Sequence, residues 1–327
     1  MNGLISLVGG QLQAALRGWD RFWFTPSQPH TLALIRILGG AMLLYTHLVW
    51  SLDLMAFLGP NSWIPTELSQ EMASNGYAWS HLWYVDSPGL LWTLHLAALV
   101  VFVMLTLGLF TRFSSIAAAV VTISYCHRLQ GSLFGLDQIN AMLALYLAVG
   151  DCGGVWSLDR WLAQRRGVAL PTQARASTNI AIRLIQVHMC VIYLFGGLAK
   201  AKGELWWDGS ALWFSAANYE YQSLDLTWIG HYPLLIAFLS HVTVFWETFY
   251  CVLIWPRATR PYCMAMAVMV HGGIAMFLGM ITFGLVMLIG NLAFVPPELT
   301  AAAVARCQAA WPKRASLSKT DQEPATA

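Results

Sequence analysis

The chain has 327 residues, 57% of them hydrophobic and only 10% charged, with a mean hydropathy of +0.57. Soluble domains carry about 25% charged residues, so this composition excludes a soluble globular chain and points to an all-α polytopic membrane protein. A formal net charge of +2, with no basic stripe, excludes a nucleic-acid binder.

The first stretch, MNGLISLVGGQLQAALRGWDRFWF, lacks the basic start of a secretory signal, and Arg17 and Arg21 follow its apolar part. Leu4, Ile5, Val8, Leu12, Leu16, Trp19 and Trp23 share one helical face. Residues 1–30 therefore read as an amphipathic helix lying on the inner membrane surface rather than a cleaved leader. Eight apolar stretches follow, at roughly 31–52, 88–110, 113–130, 134–150, 179–200, 232–255, 261–279 and 281–296, near the about 20 residues that a spanning helix needs. Residues 261–296 fit either two short helices or one helix broken near Gly279.

Charge sets the expected orientation. Arg17, Arg21, Arg112, Arg160, Arg165, Arg166, Arg175, Arg257, Arg260, Lys313, Arg314 and Lys319 all fall on one side if eight helices cross with both termini cytoplasmic. The opposite loop, about 55–87, holds Glu67, Glu71 and Asp86 but no Lys or Arg. Trp50, Trp63, Trp79, Trp83, Tyr84, Trp206, Trp207 and Trp228 crowd that outer boundary as an aromatic belt. Residues 31–296 form one membrane domain, and 297–327 read as a cytoplasmic, largely disordered tail. The six cysteines form no CxxC and read as core residues, not as a disulfide framework or metal site.

Charges at membrane depth are costly and ask for a partner or a role. Arg36, Arg183 and Glu247 fall in the inner half, and Glu247 is expected to form a structural ion pair with one of the arginines. His47, His127, Arg128, Asp137, Asn140, Lys200 and His271 fall at the middle or in the outer half. If they face inward they line one polar pocket open to the outside. A lysine at a helix end can also be a simple interface anchor, but one facing a dry cavity can serve as a base. Haem is disfavoured, because His47, His95, His188, His241 and His271 each stand alone on their stretch.

Four blocks resemble a known family: LGLFTRFSS at 107–115, GSLFGLDQINAMLALYLAVGDCGGVWSLDRWL at 131–162, YLFGGLAKAKGELWWDGSAL at 193–212 and HGGIAMFLGMITFGLVML at 271–288. Their content, order and spacing resemble the horizontally transferred transmembrane (HTTM) superfamily, which includes the membrane domain of vitamin K-dependent gamma-carboxylase. The resemblance implies that Lys200 is the base toward a quinol and that His271 lines the quinone pocket, with Arg36 at the family's first-span arginine. His127 lies earlier than the family's outer histidine, and Leu136-Asp137 stand at the aligned place. The implied cofactor is a reduced naphthoquinone or another quinol, in carboxylase- or epoxidase-like (lyase or monooxygenase) chemistry on the non-cytoplasmic side of the cell membrane. His47, His127, Asp137 and Asn140 join His271 as its candidate contacts. The carboxylase's lumenal, beta-rich, substrate-gripping region has no counterpart here, so peptide carboxylation does not follow.

Three readings result. One is a quinol- or isoprenoid-dependent membrane enzyme. The second is a non-enzymatic maturation or binding factor for a secreted peptide or protein. The third, a transporter, lacks the expected inverted repeats and paired broken helices. The glycine pairs Gly39-Gly40, Gly196-Gly197 and Gly272-Gly273 read as close helix contacts.

Overall fold

The computed structural model describes residues 2–73 and 76–310, with side chains from residue 9 onward. The side chains of Leu4, Ile5 and Val8, and the basic residues beyond 310, lie outside the described residues.

The amphipathic N-terminal stretch is helix α1 (Asn2–Phe24), with Leu12, Leu16 and Trp19 left exposed. Its end is fastened by hydrogen bonds: Asn179 Nδ2 donates to the Phe22 and Trp23 carbonyls, both at 2.8 Å. Helix α2 (His30–Trp50) follows, then the short α3 (Leu54–Leu58) and α4 (Thr66–Met72). Helix α5 (Pro88–Leu107) starts where Ser87 caps the Leu90 N–H and Pro88 presets the first turn. It stops at Gly108, which has φ +69°. A Cβ at Gly108 would also lie 1.7 Å from Arg36 Nη1, so conformation and space both demand glycine there.

Helix α6 (Thr111–Arg128) begins on the carboxylate of Asp159, which accepts from the Phe110 and Thr111 N–H groups at 2.7 Å each. Helix α7 (Gly135–Val149) leads through a glycine-rich turn to α8 (Leu158–Arg165). Helix α9 (Ala176–Ala201) is the longest. The aromatic loop after it carries α10 (Glu204–Trp207) and α11 (Ala211–Ala216). Then come α12 (Pro233–Leu253), α13 (Arg260–Phe277), α14 (Ile281–Asn291) and α15 (Pro297–Ala310).

Eight of these helices occupy the eight predicted apolar stretches. By length and composition, four segments suffice to cross a membrane: His30–Leu58, Pro88–Leu107, Ala176–Ala201 and Pro233–Leu253. The stretch 261–296 resolves into two helices, because Leu278 to Met280 leave the helical path around Gly279 at φ +68°. The expected tail is corrected in its first part: residues 297–310 form α15, started by Pro297 and anchored by a Thr31 Oγ1–Thr300 Oγ1 hydrogen bond of 2.9 Å.

Two apolar cores fill the bundle. One draws Leu32, Leu143, Ile185, Met189, Trp246, Tyr250, Val286 and Phe294 from α2, α7, α9, α12, α14 and the turn after it. The other draws Leu43, Leu91, Phe102, Ala118 and Tyr125 from α2, α5 and α6. Among the described residues the basic segments gather at one end, where Arg36 reaches the Trp156 carbonyl at 2.5 Å and Arg183 stacks on Phe22, 4.4 Å from the ring centroid. The loops between α2 and α5 and between α9 and α12 lie at the other end. The first packs on α6 and the second on α9 and α12. Among the described residues no hydrogen bond joins these two loops.

Candidate functional site

Helices α9 and α12 run antiparallel and in close contact. The Trp207 carbonyl, past the end of α9, accepts from His241 Nε2 in early α12, while Arg183 in early α9 lies over Trp255, just past the end of α12. A Cβ on Gly197 would fall 2.5 Å from the Thr248 backbone nitrogen, so glycine is what lets the two backbones meet. One turn further along α9, Lys200 Nζ donates to Glu247 Oε2 at 2.6 Å. Its ammonium also lies 5.5 Å from the Trp206 ring centroid. The Lys200 side chain is 29% exposed and that of Glu247 only 9%.

This pair corrects the expected ion pairing of Glu247 with Arg36 or Arg183. Helical side chains lean toward the N-terminus of their own helix. On antiparallel α9 and α12, Lys200 therefore leans into the bundle and Glu247 leans toward the aromatic end, and the two meet beside Gly196. A depth ranking by Cα position misses this convergence. Arg36, fully buried, is held by the Trp156 carbonyl instead. Arg183 donates to the Phe22 carbonyl at 3.2 Å and to Gln186 Oε1 at 2.8 Å.

Below the pair lies a directed chain of hydrogen bonds. Tyr250 OH donates to Asn291 Oδ1 at 2.6 Å, and Asn291 Nδ2 donates to Tyr193 OH at 2.8 Å. Tyr193 OH lies 2.8 Å from His271 Nε2, and the pairing that gives the Tyr193 proton an acceptor has it donating to that nitrogen. His271 then carries its own proton on Nδ1, and that buried nitrogen has no partner. Trp246 Nε1 and Thr248 Oγ1, on the adjoining turn of α12, are likewise buried and unpartnered. Tyr193 and Lys200 are seven residues apart on one face of α9, opposite Trp246, Glu247 and Tyr250. Phe283 closes the other side of His271, with ring centroids 6.0 Å apart.

The remaining predicted residues are dispersed. His47 lies in the second core, donating from Nδ1 to the Leu43 carbonyl at 2.8 Å. His127 Nδ1 contacts the Trp79 backbone, and Arg128 Nη2 donates to Ser62 Oγ at 2.9 Å. Asp137 caps its own helix by accepting from the Phe134 N–H at 2.9 Å. Asn140 Nδ2 reaches Thr46 Oγ1 at 3.5 Å. Of two cavities in the bundle, neither is lined by Lys200, His271 or any of these residues. A cavity of about 350 Å³ lies at the basic end, and an apolar one of about 440 Å³ is lined by Ser223, Gly272, Met276 and Ile281. Only the second comes near the site, through Gly272 beside His271. Among the described residues no cluster of His, Cys, Asp and Glu could hold a metal ion. In the loop beside the site, the Ser210 hydroxyl and N–H hold the Asp208 carboxyl below the usual carboxylate range.

Tyr193, Asn291, Tyr250 and Trp246 were not singled out in the sequence. Tyr193 opens the YLFGGLAKAKGELWWDGSAL block, which was the available signal. Asn291 is the sole amide in the apolar run of α14.

The fold and its apolar helices define a helical membrane protein. A family model for the HTTM domain matches residues 24–298. The chain belongs to the HTTM domain family, which relates it to carboxylase-type membrane domains. No curated protein and no solved structure matches it.

Proposed function

We propose that this protein crosses the cell membrane eight times with both termini cytoplasmic, and that it uses the Lys200–Glu247 pair as a proton-transfer couple toward a quinol or isoprenoid ligand. The basic segments gathered at one end support the orientation. It places the pair toward the non-cytoplasmic side, with α1 lying on the inner surface. The observation that carries the chemical reading is the 2.6 Å ion pair lying above three buried, unpartnered polar groups: His271 Nδ1, Trp246 Nε1 and Thr248 Oγ1.

That donor set fits a quinol. His271 and Trp246 would face its oxygens, Tyr193 and Phe283 would flank its ring, and the apolar cavity beside Gly272 suits a lipid-like tail. When bound, such a group would supply a weakly acidic hydroxyl and reducing electrons. Lys200 as an ammonium is no base. Passing one proton to Glu247 leaves a neutral amine beside a neutral acid, with no change in total protonation. Charges away from water are costly, so a ligand that excludes water favours this neutral arrangement. The Lys200 amine then takes a hydroxyl proton at Nζ, and Glu247 remains protonated. The Tyr250–Asn291–Tyr193 chain orients His271 so that its Nδ1–H faces the site as a donor.

Oxygen consumption with a reduced naphthoquinone, measured on protein in lipid nanodiscs, tests this reading. Wild type is expected to turn over, and Lys200→Met or Glu247→Gln to lose about a hundredfold while remaining folded. Equal rates in all three would overturn it. Insensitivity at Lys200, combined with loss of a co-expressed secreted peptide's maturation on changing Trp63 or Trp228, would instead establish the maturation-factor reading.

A further inference from the structure

The basic end holds a second polar site that the quinol reading leaves unused. The cavity of about 350 Å³ lies where the turn after α7 meets the starts of α6 and α9. Its walls include Arg112, Arg175, Ser115, Ser177 and Asp151. Gly150 and Gly153 keep side chains out of the turn: a Cβ there would fall 2.7 Å from the Ala181 Cβ and 2.8 Å from the Thr111 Cβ, respectively. The backbone thus packs directly on both helices.

The two guanidiniums are held by their edges. Arg112 Nη1 donates to the Ala148 carbonyl at 2.5 Å. Arg175 Nε binds Asp151 Oδ2 at 3.1 Å, and its backbone is fixed by a reciprocal pair of bonds with Ser27, both at 3.1 Å. Both arginines keep N–H groups beyond these contacts. Two guanidiniums facing one carboxylate leave the cavity with one net positive charge. Helix α9 opens beside it without a side-chain cap, and the N–H groups of Ala176, Ser177 and Thr178 find no acceptor among the described hydrogen bonds. The start of α6 differs, because Asp159 already occupies it.

We infer that this cavity binds a phosphate group, with Arg112 and Arg175 as the charged contacts and Ser177 and the first turn of α9 as neutral donors. The same chemistry is offered by a phospholipid headgroup at the membrane surface and by free phosphate, and its volume accommodates either.

The test uses the full chain in detergent micelles. Inorganic phosphate is titrated against thermal unfolding, and phosphatidylglycerol retained by the protein is counted by native mass spectrometry. Saturable stabilisation by phosphate, with no retained lipid, assigns free phosphate. Retained phosphatidylglycerol with no response to phosphate assigns the headgroup. In either case Arg112→Gln and Arg175→Gln are each expected to weaken binding about tenfold. Asp151→Asn discriminates further: removing the carboxylate should tighten binding several-fold, whereas an ion pair that serves only structure would give no gain. Should Arg175→Gln fail to fold, Ser177→Leu fills the cavity without touching the ion pair and should abolish binding. No saturable response to either probe, or unchanged binding in Arg112→Gln and Ser177→Leu, would overturn the proposal.

Discussion

Each core of the bundle holds a buried histidine–tyrosine network, and the two end differently. In the core built on α2, α5 and α6, His95 is satisfied at both nitrogens. Its Nε2 contacts Ser51 Oγ at 2.8 Å and the His47 carbonyl at 3.1 Å, and Tyr125 OH lies 2.9 Å from Nδ1. His47 leaves only a bare lone pair among the rings of Trp50, Phe102 and Tyr125. No ionised partner is engaged, and the network ties three helices together. In the core built on α9, α12, α13 and α14, the chain from Tyr250 through Asn291 and Tyr193 ends on a histidine donor with nothing to donate to, beside an ion pair. A closed network fixes helix register. An open one retains capacity for a ligand, and that contrast, more than the presence of histidine, separates scaffold from candidate site.

Breaking the ion pair should show the largest effect. Lys200→Met leaves Glu247 buried without its partner and is expected to destabilise the protein by about 3 kcal/mol in thermal unfolding. The double variant Lys200→Met/Glu247→Leu should recover most of that loss, since it removes both charges. Equal losses in the single and double variants would show that the two residues do not act as a unit. The next effect sharpens the helix contact. Gly197→Ala forces a Cβ to within 2.5 Å of the Thr248 nitrogen and should cost about 2 kcal/mol. Gly272→Ala meets nothing within 4 Å and should be nearly neutral. If the two substitutions were equivalent in melting temperature, the α9–α12 contact would not be as close as described.

The smallest effect concerns the loop packed on the closed network's side. Burial holds His81 below its ordinary value of 6.5. Its Nδ1 lies 2.6 Å from Ser124 Oγ, which also accepts from the His81 N–H. The folded state therefore takes up this proton later than the unfolded state as pH falls. Stability is full above about 6.5, declines below it, and the loss is complete once pH passes beneath the folded-state value. Hydrogen exchange of residues 76–84 at neutral and mildly acidic pH should show the loosening, and His81→Asn should abolish the difference. Uniform protection across that range would contradict it.

Helix positions were legible in the sequence because apolar length and prolines or glycines at the ends mark them locally. The break between α13 and α14 could be placed near Gly279 for that reason. Helix α15 escaped because its alanine-rich run lies past the last apolar stretch and is anchored through Thr300, a long-range contact. The candidate site was half legible. Lys200 and His271 carry family-like motifs, but the partner of Glu247 depends on which way side chains lean on antiparallel helices, and the Tyr193–Asn291–Tyr250 chain joins residues up to 98 positions apart. The dispersal of His47, His127, Asp137 and Asn140 likewise follows from which helix faces meet, which depth along the chain does not encode.

The central claim is that the open network beside Lys200 and Glu247 receives a quinol-like ligand. The direct measurement is mass spectrometry of small molecules retained by the wild-type protein and by His271→Leu/Trp246→Phe, each incubated with a reduced naphthoquinone in mild detergent. The account predicts stoichiometric retention by wild type and loss in the double variant, with folding preserved. Equal retention by both proteins, or none by either, would contradict it.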